Sequence, residues 1–181
     1  MVIYFLLALA ALTLLYVAAL YNRLVRRRNE AREAFSSIDV FLKQRYDLIP
    51  NLVNTIKGYS AYESGTLEKV VQLRSQAMEA PAAEKGASET ALAGALKSVF
   101  ALAEGYPDLK ANQEFLHLQQ TLTGLEESIQ RARRYYNATV RDMNTSIESF
   151  PNNLFVSMFG FQKMNYFDVP ENETQHVEVK F

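Results

Sequence analysis

Glu114 and His117 have residue types and a spacing that suit metal chemistry. The Glu-x-x-His pattern places two ligands on one face of a helix, as in carboxylate-bridged di-iron bundles. Such a site needs a second pair and further glutamates, and the other histidine of the chain, His176, lies in a predicted tail. We therefore interpret His117 as a surface residue, and we expect no metal, no other cofactor and no enzymatic activity.

This 181-residue chain also lacks the usual sequence motifs of other catalytic and binding sites. The absence of cysteine excludes disulfides, thiolate metal sites and a cysteine nucleophile. No serine lies in a Gly-x-Ser-x-Gly setting, and no glycine-rich phosphate loop occurs. The formal net charge of -1 argues against a nucleic-acid partner, which normally requires a strongly basic domain.

A second group of charged residues lies on or near the apolar faces of predicted helices. Arg45 falls within an apolar stripe, where an unpaired charge would be costly, so we expect it to meet a carboxylate or a carbonyl group from another helix. Asp39, Asp47 and Arg134 lie close to similar faces. We interpret these residues as fixing the register of the helices. The alternative is a charged binding cleft.

Long helices are predicted to position these residues, because apolar residues recur at alternating steps of three and four. The predicted core positions are Ile38, Leu42, Ile49, Leu52 and Ile56 in the first helix; Leu67, Val70, Val71, Arg74 and Met78 in the second; Leu92, Leu96, Val99, Phe100 and Ala103 in the third; and the series Phe115, Leu118, Leu122, Leu125, Ile129, Ala132, Tyr136, Val140, Met143, Ile147 and Phe150 in the fourth. The first stripe stays in phase across Pro50, which predicts a kink and not a break.

Capping signals and breakers set the predicted ends of these helices. Ser60 and Glu63 have capping-box spacing ahead of the second helix, and Asn112 is placed to cap the fourth. Residues 81–88 are predicted to form a loop, and Pro151 is predicted to end the fourth helix. Four long helices with short connections predict an all-α fold, an antiparallel four-helix bundle.

An uncharged stretch at residues 2–21 precedes this bundle. As a helix it would be about 30 Å long, which matches the hydrocarbon thickness of a bilayer. Four basic residues follow it, namely Arg23, Arg26, Arg27 and Arg28. Since Lys and Arg stay on the cytoplasmic side, we expect the N-terminus outside and the domain inside. We prefer a retained anchor to a cleaved signal peptide, because no basic residue precedes the apolar stretch.

The C-terminal part divides into an aromatic segment, residues 152–167, and an acidic tail, residues 168–181. The aromatic segment supplies the candidate contact surface, which consists of Phe155, Phe159, Phe161 and Phe167. Three placements stay open for it: packing on the bundle, docking on a neighbouring copy, or contact with the membrane. Alternating residues at 176–181 are compatible with a short edge strand. The predicted domains are thus 1–22, 23–151, 152–167 and 168–181.

Several long motifs resemble the LemA family. They are YNRLV at 21–25, IDV at 38–40, RYDLIPNLV at 45–53, YPDLKAN at 106–112 and RRYYN at 133–137. The resemblance implies a single-pass protein of the bacterial inner membrane with a helical-bundle domain. It implies no catalytic residue, and it suggests a link to membrane zinc metalloproteases.

Together these features favour a membrane-anchored scaffold or adaptor that acts through protein contacts. We expect it to form homo-oligomers, because confinement to a membrane raises the effective concentration of each copy. A membrane protease or another envelope protein is the other expected partner. The alternatives are a receptor for a lipid or small ligand and, third, a metal-dependent carboxylate-bundle enzyme.

Overall fold

A computed structural model describes residues 1–59, 64–81 and 84–167. These residues form α-helices, a 3₁₀ turn and connections, and they contain no strand, so the all-α prediction is confirmed for them. The elements are α1 (Val2–Lys57), α2 (Ser64–Glu79), α3 (Lys85–Ala103), α4 (Pro107–Lys110), α5 (Gln113–Glu148), α6 (Asn153–Val156) and the 3₁₀ turn (Ser157–Phe159). The predicted capping box at Ser60 and Glu63 and the predicted strand at 176–181 lie outside the described residues.

Helix α1 joins the predicted anchor to the predicted first helix of the body without interruption. Its apolar N-terminal stretch is exposed, and α1 is the one candidate membrane span that the described residues contain. The apolar residues therefore continue into the folded part within one helix.

The described residues divide into two compact units. The anchor unit comprises residues 1–37 and 132–166, and the central unit comprises the described residues of 38–131 together with Phe167. Helices α1 and α5 each contribute residues to both units.

The core of the anchor unit forms where the start of α1 meets the end of α5 and the segment that follows. Its buried residues are Leu20, Leu24, Met143, Val156 and Phe161. Gly160 has a φ of 67°, a left-handed conformation that side-chain-bearing residues rarely adopt. This glycine ends the 3₁₀ turn and leads the chain to the buried Phe161.

The core of the central unit follows the predicted stripe on α1, where Ile38, Leu42, Ile49, Leu52 and Ile56 are all buried. On α2 the predicted stripe is partly wrong. Leu73 and Ala77 are buried, whereas Val71 and Met78 are 44% and 51% exposed. The Ala77 carbonyl oxygen lies 3.3 Å from the Tyr46 hydroxyl, so the side chain of Tyr46 on α1 reaches the backbone of α2 at this position. The sequence pattern favoured the larger residues of a neighbouring face.

The helix ends differ from the predicted ones at two places. The loop prediction for residues 81–88 is wrong from Lys85 onward, because α3 already begins there. Helix α5 ends at Glu148, so the last predicted core position, Phe150, lies beyond it and is exposed.

The predicted cap of the fourth helix is confirmed. The Phe115 backbone N–H donates to Oδ1 of Asn112 at 2.9 Å, and the Asn112 amide donates to the Tyr59 hydroxyl at 2.7 Å. Just before this cap the chain forms α4, a single turn that sequence reasoning did not separate. Pro107 occupies its first position, where a missing N–H costs nothing.

Pro50 lies inside α1, and the helix continues across it, as expected. Proline has no N–H, so the carbonyl of Tyr46, four residues earlier, loses its usual intrahelical donor. The side chain of Arg74 on α2 replaces that donor, with its Nε 2.7 Å from the Tyr46 oxygen. One arginine therefore compensates for the proline and attaches α2 to α1.

This geometry predicts that the effect of losing Arg74 depends on Pro50. We expect Arg74→Met to lower the free energy of unfolding by about 1 kcal/mol, because a backbone acceptor loses its donor. In a Pro50→Ala background the alanine N–H becomes available to Tyr46, so the cost of Arg74→Met should nearly vanish. Denaturant unfolding of the four proteins in detergent measures the coupling, with Lys69→Met, an exposed change on the same helix, as the control. Equal costs in both backgrounds would contradict this account.

Candidate functional site

The most unusual feature of the central unit is a buried ionic network around Arg45. Its guanidinium lies on the apolar stripe of α1, one turn from Leu42 and Ile49, and the residue is only 1% exposed. The expected partner from another helix is Glu89 on α3, which pairs with Nη2 of Arg45 and is 0% exposed. A fully buried pair of this kind is stable only if its remaining hydrogen-bonding groups are largely satisfied.

Both carboxylate oxygens of Glu89 accept hydrogen bonds. One accepts from Nη2 of Arg45, and the other accepts from the hydroxyl of Tyr46, the residue next to Arg45 on α1. Burial, followed by the hydrogen bond to Glu89, raises the pKa of the Tyr46 hydroxyl well above its ordinary value. Tyr46 therefore remains a neutral donor to the carboxylate throughout the physiological pH range.

Glu126 extends the network to a third helix, α5. Its Oε2 accepts from Nη1 of Arg45 at 2.5 Å, and its Oε1 accepts from the Gln130 amide at 3.0 Å. Glu126 is 34% exposed, so this end of the network reaches solvent. Arg45 thus connects α1, α3 and α5 through one side chain.

A cavity of about 620 Å³ lies beside the network. Its walls combine Arg45 and Glu126 of the network with further residues of α3 and α5, namely Thr90, Ala93, Gly94, Leu96, Lys97, Phe100, Leu122 and Thr123. Within the described part of the chain, Nε of Arg45 is buried and has no hydrogen-bond partner. This cavity is the place in the central unit where a small molecule would meet a buried cation.

The other predicted register residues differ in burial. Asp39 pairs with Lys85 of α3 at 2.8 Å, and this pair is partly exposed. Asp47 and Arg134 are both exposed, whereas Arg133, the neighbour of Arg134 in the same basic run, is buried. Among these predicted residues and the neighbouring basic run, Arg45 and Arg133 are thus buried, and Asp47 and Arg134 face solvent.

The four arginines after the apolar stretch fall into two pairs. Arg23 and Arg26 are exposed. Arg27 donates from Nη1 to the Asp142 carbonyl at 2.5 Å, and the Arg28 guanidinium lies 5.1 Å from the centre of the Phe161 ring. Arg27 and Arg28 therefore contribute to the packing of the anchor unit, and Arg23 and Arg26 carry the positive charge at its surface.

The candidate aromatic contact residues pack within the chain. Phe161 and Phe167 are buried, and Phe155 and Phe159 are partly buried. In the anchor unit, Phe155 makes an edge contact with Tyr16, and Phe159 makes one with Tyr21. Within the single chain, these side chains therefore pack on the protein itself; contact with a neighbouring copy or with the membrane stays a prediction.

The residues with metal-ligand spacing do not gather further ligands. Glu114 and His117 are exposed on the first turns of α5, and within the described ranges no group of three or more histidine, aspartate or glutamate residues is arranged to hold a metal ion. His176 lies outside those ranges.

Comparison with known proteins places the chain in a family. The model of the LemA family matches residues 34–181, more than half of the chain. The chain belongs to the LemA family. The matched region includes all the partners in the ionic network of the central unit and begins within α1, after the apolar stretch.

Individual relatives extend over more of the chain. Protein LemA of Metamycoplasma hominis is 27% identical over 98% of this chain and 81% of its own length. Magnetosome protein MamQ of Magnetospirillum gryphiswaldense and magnetosome protein MamQ 2 of Paramagnetospirillum magneticum are each 24% identical over 85% of this chain and 67% of their own length. The similarity to Protein LemA therefore includes most of the apolar stretch as well as the body.

Sequence reasoning missed Glu89, the direct partner of Arg45 in this LemA protein. A usable signal was present, because the stripe of Leu92, Leu96 and Val99 extends back in phase to position 89. The predicted loop at residues 81–88 placed position 89 at the very start of the third helix, and the predicted core series of that helix began only at Leu92. One acidic residue on a buried stripe and one basic residue on another are expected to pair.

We expect Arg45→Met to lower the free energy of unfolding by about 3–5 kcal/mol, because it leaves Glu89 buried without its cation. The double variant Arg45→Met, Glu89→Gln should recover part of this loss, since the orphaned charge is removed. Asp39→Asn, which breaks the partly exposed pair with Lys85, serves as the control and should cost less than about 1 kcal/mol. Denaturant unfolding in detergent measures all three.

The competing interpretation of the network as a binding cleft gives a different result. In that case Arg45→Met would unfold at the same denaturant concentration as the unmodified protein and would fail to capture a partner. Equal stability of these two proteins would therefore contradict a role in helix register.

Proposed function

We propose that this LemA protein is a membrane-anchored, non-enzymatic adaptor that acts through protein contacts. The observation that carries the proposal is the continuity of α1, whose exposed apolar stretch runs directly into a folded body. In water such an exposed surface is unfavourable, and in a bilayer it is favourable. The body is thereby held beside the lipid, where weak contacts with neighbouring membrane proteins suffice for association.

The chemistry of the central unit supports a role in binding. Arg45 and Tyr46 of α1 both donate to the buried carboxylate of Glu89 on α3, which suits these residues to holding the two helices in place. We further propose that the long helices form an antiparallel four-helix bundle and that the Arg45 network fixes their alignment.

We place the anchor in the bacterial cytoplasmic membrane, with the N-terminus outside and the body in the cytoplasm. The exposed Arg23 and Arg26 support this orientation, since they are free to stay on the cytoplasmic side. The partners we propose are further copies of the chain and an envelope protein such as a membrane protease.

The proposed topology can be tested with single cysteines, because the chain has none of its own. We expect a membrane-impermeant maleimide to label Val2→Cys in intact cells and to label Glu127→Cys, an exposed position on α5, only after the cells are opened. Labelling of Glu127→Cys in intact cells would reverse the orientation. Equal recovery of both variants in the membrane fraction is the control for insertion.

The exposed apolar face of α2 is the contact surface that we propose for the central unit. Val71 and Met78 lie seven residues apart, two helical turns, and therefore share a face. Single exposed apolar residues are common on protein surfaces. Two of them on one face of α2, next to the face that packs in the core, form a small apolar surface that suits contact with a partner protein.

A photo-crosslinking amino acid at Val71 tests this contact surface. In intact membranes we expect it to give a discrete crosslinked product containing a second copy or an envelope protein. The same amino acid at Gln72, an exposed polar position on the adjacent face, is the matched control and should give little of that product. Absence of any protein adduct at Val71 and at Met78 would exclude this face as the contact surface.

A receptor for a small ligand is the second candidate, and the cavity of about 620 Å³ beside Arg45 favours it. Its size lies within the range of small-molecule pockets, and Arg45 and Lys97 would favour an anionic ligand. Native mass spectrometry of protein released in mild detergent separates the two functions. Additional mass retained on the wild type and lost in Lys97→Ala supports the receptor, whereas the bare mass of the chain opposes it.

A further inference from the structure

Residues 149–162 between α5 and the end of the anchor unit contain no charged residue, although Glu148 and Lys163 flank them directly. The inner side of this segment supplies Val156 and Phe161 to the core. Its outer side carries three large apolar residues, Phe150, Leu154 and Met158, which are 79%, 59% and 78% exposed. Leu154 and Met158 are four residues apart in consecutive helical turns, so they lie on the same face.

The segment lies along the part of α1 that leads out of the apolar stretch. The Tyr16 hydroxyl donates to Oδ1 of Asn152 at 2.7 Å. Further along, the ring centres of Tyr21 and Phe159 are 5.3 Å apart, and Arg28 lies over Phe161. Successive residues of the segment thus contact successive turns of α1, from the uncharged stretch to the arginines.

These contacts indicate how far the segment lies from the arginines, measured along the axis of α1. Tyr16 lies seven residues before Arg23, which is about 10 Å along a helix, and Tyr21 lies two residues before it, about 3 Å. Interfacial helices bury their apolar faces about 5–10 Å into the boundary between headgroups and acyl chains. If Arg23 lies at the headgroups, Asn152 and its neighbours fall within that layer.

We propose that residues 150–160 form an interfacial membrane element that inserts Phe150, Leu154 and Met158 into the boundary between lipid headgroups and acyl chains. The inference rests on the proposed membrane anchor. Lipid is the occupant because the exposed apolar face is continuous with the exposed apolar stretch of α1, to which Tyr16 fastens it. The exposed Arg23 and Arg26 add a positive flank that suits anionic headgroups.

The chain has no tryptophan, so a single introduced tryptophan reports on one site. Leu154→Trp and Met158→Trp, in the full chain, place the probe at exposed positions. The variants are reconstituted into phosphatidylcholine and phosphatidylglycerol vesicles, with or without brominated acyl chains that quench tryptophan on contact. We expect both probes to show blue-shifted emission and to lose most of it in the brominated vesicles.

Two matched variants separate failure of this inference from failure of the anchor. Leu9→Trp lies in the apolar stretch and should be quenched if the anchor is inserted. Tyr135→Trp is an exposed position of the same unit, beside Tyr136, which contacts Phe35 of α1 at 5.4 Å between ring centres. Phe35 lies twelve residues beyond Arg23, about 18 Å from the headgroups, so Tyr135→Trp should remain unquenched.

The outcomes are distinct. Quenching at positions 9, 154 and 158 but not at 135 supports the interfacial element. Quenching at 9 alone overturns it and leaves the anchor in place. Blue-shifted emission at 154 and 158 without quenching overturns it in favour of a second copy that covers this face. Absence of quenching at 9 overturns the anchor itself and the inference with it.

Discussion

The buried pair of Arg45 and Glu89 is the interaction on which the central unit most depends. Removing two charges from water costs several kcal/mol for each ion, and the attraction between them repays this cost only when the geometry is good and further hydrogen bonds are made. Here Tyr46 occupies the second oxygen of Glu89, and Glu126 occupies the second terminal nitrogen of Arg45. A helix shifted by one residue would bury a charge without a partner, so we expect the network to favour one alignment of α1, α3 and α5 over its neighbours.

A second polar contact replaces a backbone hydrogen bond that the proline in α1 removes. Pro50 frees the carbonyl of Tyr46, and Arg74 supplies the missing donor. Tyr46 therefore contacts α2 through its backbone and α3 through its hydroxyl, while its neighbour Arg45 contacts α3 and α5. Two adjacent residues of α1 thus form polar contacts with all three other long helices of the central unit. The apolar stripes of the helices form the buried core around these contacts.

Sequence patterns predicted the features of the fold that depend on local periodicity. The long helices, the Asn112 cap, the exposed apolar stretch and the need of Arg45 for a partner all follow from residue types at fixed spacing. Features that depend on how closely two helices approach were not predictable in this way. Ala77 is buried and Met78 is exposed, although hydrophobicity alone ranks these residues in the opposite order. The partner Glu89 was missed because the predicted core series of the third helix began at Leu92, whereas α3 begins at Lys85 and already buries Glu89.

The unbroken course of α1 has a mechanical consequence. A membrane span longer or shorter than the hydrocarbon layer accommodates the mismatch largely by tilting. Because α1 is continuous from residue 2 through residue 37, the anchor unit of the proposed membrane-anchored protein is expected to change its orientation together with the tilt of the span. In the proposed arrangement, lipid thickness therefore contributes to the angle at which this unit meets the bilayer surface.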